Sequence, residues 1–256
     1  MTPTRWSALF GSTLLVLLLI GVAGPPLRIG HFSAQSPSRA VPDGWKQIRF
    51  GENDSATRYD LVRRDSTVVV RARSENGASG LFTQQRVNLS RYPILEWRWK
   101  VTDMPMDADV TTDTTDDAAA RLYVTFDYQD LGVLDRLKLM ILRRVAFSEA
   151  PSRALNYLWA SRQQSGEAIA SPYTDQIRMI PVRSGSAQTG EWIRERRNVL
   201  ADYRAVFGED PPAVSGVAIM TDADNTGGSA QALYGDIVFR ASSGQQSIDP
   251  RGSGSP

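Results

Sequence analysis

From Trp45 onward, apolar and polar residues alternate with a period of two over long stretches. In ILEWRWKV, Leu95, Trp97, Trp99 and Val101 alternate with Glu96, Arg98 and Lys100. That spacing puts the apolar set on one face of a strand and the charges on the other. Leu122, Val124 and Phe126 alternate in the same way with Arg121, Tyr123, Thr125 and Asp127. Shorter candidates are STVVVRARS, LNYLWAS, QIRMIPV, SGVAIMT and YGDIVFR, and Gly, Pro, Asn and Asp fill the gaps between them. Many short strands punctuated by turn residues predict a mainly β chain, a jelly-roll-like antiparallel β-sandwich.

Two stretches have helical spacing, so one or two accessory helices are expected. In VLADYRAVF, Val199, Leu200, Tyr203, Val206 and Phe207 share a side, with Asn198 as N-cap and Gly208 as the left-handed terminator. In residues 131–147, Leu134, Leu137, Ile141 and Val145 recur at helical spacing among Arg136, Lys138, Arg143 and Arg144. Such a helix caps a core or lies on an anionic membrane surface.

The amino terminus carries a different signal. Arg5 precedes an apolar run ending in the small residues Gly21, Val22 and Ala23, the pattern of a secretory leader. Residues 1–23 are thus expected to be a signal peptide or an N-terminal anchor, which makes the protein periplasmic or secreted, membrane-anchored if the leader is retained. Residues 24–42 read as a linker, 43–242 as a single β-sandwich domain and 243–256 as a disordered tail, because the flanks are rich in Ser, Gly, Pro and Gln.

Composition narrows the chemistry. The 256 residues contain no cysteine and one histidine, His31, which argues against thiolate sites, a Ser-His-Asp triad and a histidine-rich zinc centre. A formal net charge of +1 argues against a dedicated nucleic-acid binder.

The segments ASGLFTQQ, PILEWRWKV, DDAAARLYVTFD, NYLWAS, RNVLADYRAVFG and MTDADNTG, followed by YGDIVF, run from about Trp45 to Arg240. Their order resembles the bacterial domain of unknown function 3047 family. The resemblance implies an exported location and a jelly-roll sandwich, and it supplies no activity. The closing Gly-Asp-Ile pattern is also similar to jelly-roll carbohydrate-binding modules, an analogy of fold only.

Polar constellations remain. Asp116 and Asp117 enter the strand that carries Arg121, where carboxylates hold a hard cation or orient sugar hydroxyls; the competing reading is a solvated loop with one salt bridge. The acidic stretch 107–117 before them is expected to be a mobile loop. In DADNTGG, Asp222, Asp224 and Asn225 place oxygens at alternate positions before Gly227. An EF-hand is ruled out by the lack of a distal glutamate. A calcium site of another kind would need Asp116 or Asp117 to approach across the sheet, and an Asx turn is the competing reading. Arg197, Asn198 and Asp202 read as a structural polar network at the helix entrance. Trp159 and Tyr173, near strand ends or loops, are candidate platforms for sugar rings, whereas Trp97 and Trp99 share a core-facing side.

These signals predict an exported, non-catalytic ligand-binding sandwich that recognises a carbohydrate or another polyhydroxylated envelope component. Asp117, Arg121, Asp222, Asp224 and Asn225 would be the polar contacts and Trp159 and Tyr173 the platforms, with no catalytic residue and no cofactor beyond an optional calcium ion. Two alternatives stay open: a glycan hydrolase using Asp117 and Asp222 as acid and base, and an envelope accessory protein that meets a protein partner or membrane through residues 131–147.

Overall fold

The computed structural model describes residues 24–49, 55–127 and 153–242. Two sheets face each other. Sheet A runs β1 (Leu27–Gly30), β14 (Ile237–Arg240), β6 (Ile94–Asp103), β13 (Ser229–Tyr234), β4 (Thr67–Glu75) and β3 (Arg58–Arg64), with β11 (Ile193–Asn198) also paired to β6. Sheet B runs β2 (Lys46–Arg49), β5 (Ala78–Val87), β12 (Val214–Asp222), β7 (Ala120–Phe126), β8 (Arg153–Ala160), β10 (Ile177–Ser184) and β9 (Ile169–Ala170). Pairing is antiparallel except between β8 and β10, which run parallel. The class is the jelly-roll-like sandwich that the alternation predicts.

The core between the sheets follows from the alternation. Leu95, Trp97, Trp99 and Val101 of β6 and Leu122, Val124 and Phe126 of β7 all point inward and are buried. Trp97 meets Trp99 edge-on at 5.3 Å between ring centroids and Tyr157 at 5.5 Å, while Trp159 lies 6.2 Å from Trp99. Offset and edge-on aromatic contacts of this kind contribute about 0.5–1.5 kcal/mol each beyond the area they bury.

One α-helix is found among the described residues, α1 (Val199–Phe207). Asn198 caps it by accepting the Ala201 N–H at 3.1 Å, and Gly208 ends it at φ 74°, a left-handed conformation that suits glycine. Tyr203 packs its ring on Phe126 and Phe207, which docks the helix on sheet B. Arg197 forks onto Asp202 at 2.9 and 2.6 Å, and Asp202 also accepts the Tyr157 hydroxyl at 2.8 Å. The other expected helix, at 131–147, lies outside the described residues, as do the leader 1–23 and the tail 243–256.

Four details depart from the sequence reading. Residues 24–42 are not a linker: β1 pairs with β14, and Phe32 is fully buried against Trp45 at 5.4 Å. Their Ser- and Pro-rich composition hid one large apolar anchor. The stretch IRERRN is a strand, β11, although it lacks the apolar alternation, because its backbone pairs with the edge of β6. YGDIVFR is divided between β13 and β14, with Gly235 and Asp236 between them. Finally, residues 107–117 form an anchored loop: Val110 and Ala118 are buried with Leu158, Ala160 and Met179 in a small second core.

Candidate functional site

Strand pairing gathers the acidic residues at one end of sheet B. β7 and β12 are antiparallel with Arg121 opposite Met220, so Asp116 and Asp117, just before β7, lie beside Asp222, the last residue of β12. Arg121 and Asp222 share a face through the two-residue period, which makes them diagonal neighbours.

Arg121 is the hub. Its Nε donates to Asp222 Oδ1 at 3.0 Å and its Nη2 to Asp222 Oδ2 at 3.0 Å, a bidentate fork. The same Nη2 donates to the Asp116 carboxylate at 2.8 Å and to the Asp116 carbonyl at 2.9 Å. The Tyr234 hydroxyl from sheet A accepts the Arg121 backbone N–H at 3.3 Å and donates to the Met220 carbonyl at 2.5 Å, tying the two sheets beneath the cluster.

Asp117 turns the other way, as adjacent side chains in extended chain must. It accepts the backbone N–H groups of Asn225 at 3.2 Å and Thr226 at 2.7 Å, and the Thr226 hydroxyl at 2.6 Å. The loop between β12 and β13 is therefore folded around a buried carboxylate. Above it, the Asn225 side-chain amide (2.6 Å) and the Tyr173 hydroxyl (2.9 Å) both donate to the Asp113 carbonyl. The Tyr173 ring stays open to solvent, 49% exposed, beside exposed Asn225 and half-buried Asp224.

The electrostatics are lopsided. Arg121 forms ion pairs with Asp116 and Asp222, and Asp117 and Asp224 add two further carboxylates close by. Burial pushes the Asp222 carboxyl up to about 8 although Arg121 pulls it down. Burial likewise raises Asp116 against the pull of Arg121. Asp224 is raised by burial and then by the neighbouring Asp117. One oxygen from each of Asp117, Asp222 and Asp224 lies within 4.8 Å of the others. That spacing is within reach of a single hard cation, which would compete with the protein donors that Asp117 and Asp222 already hold.

The sequence-derived candidates thus divide. Asp117, Arg121, Asp222, Asp224 and Asn225 come together with Tyr173 at one end of the sandwich. Within this group Asp117, Arg121 and Asp222 are buried and satisfied by the protein itself, whereas Asp224, Asn225 and Tyr173 form the rim. Trp159 is not a platform: it is fully buried in the inter-sheet core, and its indole N–H donates to the Gly185 carbonyl at 3.0 Å. Its position in the alternation of β8, in step with Leu155 and Tyr157, explains this. Asp117 and Asp222 do not make an acid–base pair open to substrate, since both are buried and both carboxylates already hold protein donors. Three participants escaped the sequence reading, the Asp113 carbonyl, Thr226 and the Tyr234 hydroxyl. Thr226 carried a signal, a hydroxyl next to Asn225 in a turn-forming run.

Fold and site together define a jelly-roll-like β-sandwich with a carboxylate–arginine cluster at one end. The chain belongs to the family described as protein of unknown function (DUF3047), whose model matches residues 43–238. No curated protein matches the chain. Among solved structures it is similar to the K1 cleaved adhesin domain of Lys-gingipain from Porphyromonas gingivalis W83, at 11% identity and a TM-score of 0.37, over 85% of this chain and 99% of that one. It is also similar to the low-affinity xylan-binding module CBM86 from Roseburia intestinalis, at 10% identity and a TM-score of 0.28, over 78% and 97% of the two chains. At these values neither likeness bears on what this chain binds.

Proposed function

We propose that this chain is a non-catalytic binding module, exported from the cytoplasm, that recognises a carbohydrate or similar polyhydroxylated ligand at the rim formed by Tyr173, Asn225 and Asp224. One observation carries the reading: an aromatic ring half open to solvent is fixed by its hydroxyl to the same carbonyl that holds Asn225, next to a half-buried carboxylate. An aromatic face stacks on the C–H face of a sugar, while an amide and a carboxylate exchange hydrogen bonds with its hydroxyls. The buried Asp117–Arg121–Asp222 set holds these groups in place. Rigid positioning of the rim before binding lowers the entropy cost of recognition. Export rests on the leader-like residues 1–23. Among the described residues no helix is long and apolar enough to cross a membrane.

The test is a thermal-shift screen of the full chain against neutral envelope glycans, run beside a Tyr173→Ala variant. A ligand that binds only the native state raises Tm with concentration. The proposal expects such a rise for the wild type and its loss in Tyr173→Ala, with the ligand-free Tm unchanged. No response to any glycan, or the same response in both proteins, would refute it. Export is checked by fractionating cells that express the full chain; recovery in the cytoplasm would count against it.

A further inference from the structure

We propose a second binding site, an arginine-lined groove at the outer edge of sheet A that takes a carboxylated sugar unit. In β3 and β4, Tyr59, Leu61, Val70 and Ala72 face the core, so Arg58, Asp60, Arg71 and Arg73 face outward. Strand register sets Arg58 directly opposite Arg73, and Asp60 opposite Arg71. Two like charges paired across strands are destabilising unless a counter-charge joins them. Among the described residues only Asp60 does so, accepting from Arg71 Nη2 at 2.7 Å and Arg73 Nη2 at 3.0 Å. Arg39, from the stretch that bridges Ser38 to Leu61, adds a fourth guanidinium. Arg39 and Arg58 are exposed and have no carboxylate partner among the described residues. The Nε of Arg71 is buried without a hydrogen-bond partner.

These residues line a groove of about 710 Å³, within the range of about 300–1,000 Å³ typical of small-ligand sites. Among the described residues four cations face one anion, a net charge of +3, and one donor is unfilled. Guanidinium forks match the two oxygens of a carboxylate, and one Asp60 carboxylate oxygen already accepts from both Arg71 and Arg73. The groove is not uniformly polar: Pro37 and Val62 line it as well. An apolar patch beside a guanidinium cluster suits the C–H face of a sugar ring whose carboxylate lies on the arginines. The inference rests on reading the chain as a glycan binder but uses a surface separate from the Tyr173 rim.

The experiment is calorimetric titration of the full chain with oligogalacturonate, with neutral glucan oligosaccharides and polyphosphate as separate titrants. It is run on the wild type, an Arg39→Ala/Arg58→Ala double variant and Tyr173→Ala. The expected result is salt-sensitive binding of oligogalacturonate that weakens about tenfold or more in the double variant and persists in Tyr173→Ala. Both altered arginines are exposed, so Tm should hold. Equal affinity in the wild type and the double variant would overturn the groove, as would no binding of oligogalacturonate. Polyphosphate binding as tight as oligogalacturonate would overturn the sugar assignment. Loss of binding in Tyr173→Ala alone would move acidic glycans to the rim, and neutral glycans bound through Tyr173 would leave the rim standing if the groove fails.

Discussion

At Asp117 a fully buried carboxylate receives three hydrogen bonds from the loop around it, so its loss acts on the fold rather than on a ligand. Asp117→Ala should lower stability by about 2–3 kcal/mol, given the worth of hydrogen bonds to a buried charge, and denaturant unfolding measures it. Tyr173→Ala should do the reverse, leaving stability intact and removing affinity, because nearly half of that residue is in solvent. Asp222 gives a pH signature. Its folded-state value is raised to about 8 by burial, above the ordinary value of about 3.9. The native state therefore holds this proton more tightly than the unfolded chain. The associated stabilisation is complete below about pH 4 and is lost as pH rises through about 8. In chelator, Tm of the wild type should fall across that window more steeply than that of Asp222→Asn. Equal slopes would show that Asp222 does not govern the trend. Calcium competes with protons for these carboxylates, so it should raise Tm more at pH 8 than at pH 5 and lose that effect in Asp224→Asn.

Among the elements, α1 and β11 show what local sequence does and does not reveal. The helix was legible in full, from the Asn198 cap to Gly208, because capping and periodicity are written in neighbouring residues. Asn198→Ala should cost about 1 kcal/mol, the usual worth of an N-cap, readable by thermal unfolding. β6 and β7 were legible for the same reason: one face is apolar and the period is two. β11 was not, since a charged strand is specified by the partner edge it pairs with, which sequence does not display. The site divides along the same line. The turn chemistry of Asp222, Asp224 and Asn225 is local and could be read. Whether Asp117 or Asp116 would meet that loop depended on the register of β7 against β12, and Trp159 could be assigned to the core only once β8 was known to have its alternate residues facing sheet A. The Arg58–Arg73 pair escaped because each arginine sits in its own strand's alternation and only pairing brings them together.

At the scale of the whole molecule, residues 24–42 belong to the sandwich, closing one side of sheet A through β1 and placing Phe32 in the core. Phe32→Ala should destabilise the protein by about 3–5 kcal/mol, the cost of truncating a large buried aromatic, and denaturant unfolding checks it. The two proposed binding surfaces are also of opposite charge. An acidic cluster closes one end of sheet B and an arginine groove lies on the outer edge of sheet A, which a net charge of +1 conceals. The central claim is that the Tyr173 rim binds glycans, and its most direct test is an array of neutral glycans probed with the full chain and with Tyr173→Ala side by side. The expected result is selective retention of the wild type on a subset of glycans and its loss for the variant. Retention of neither protein on any glycan, or equal retention of both, would contradict it.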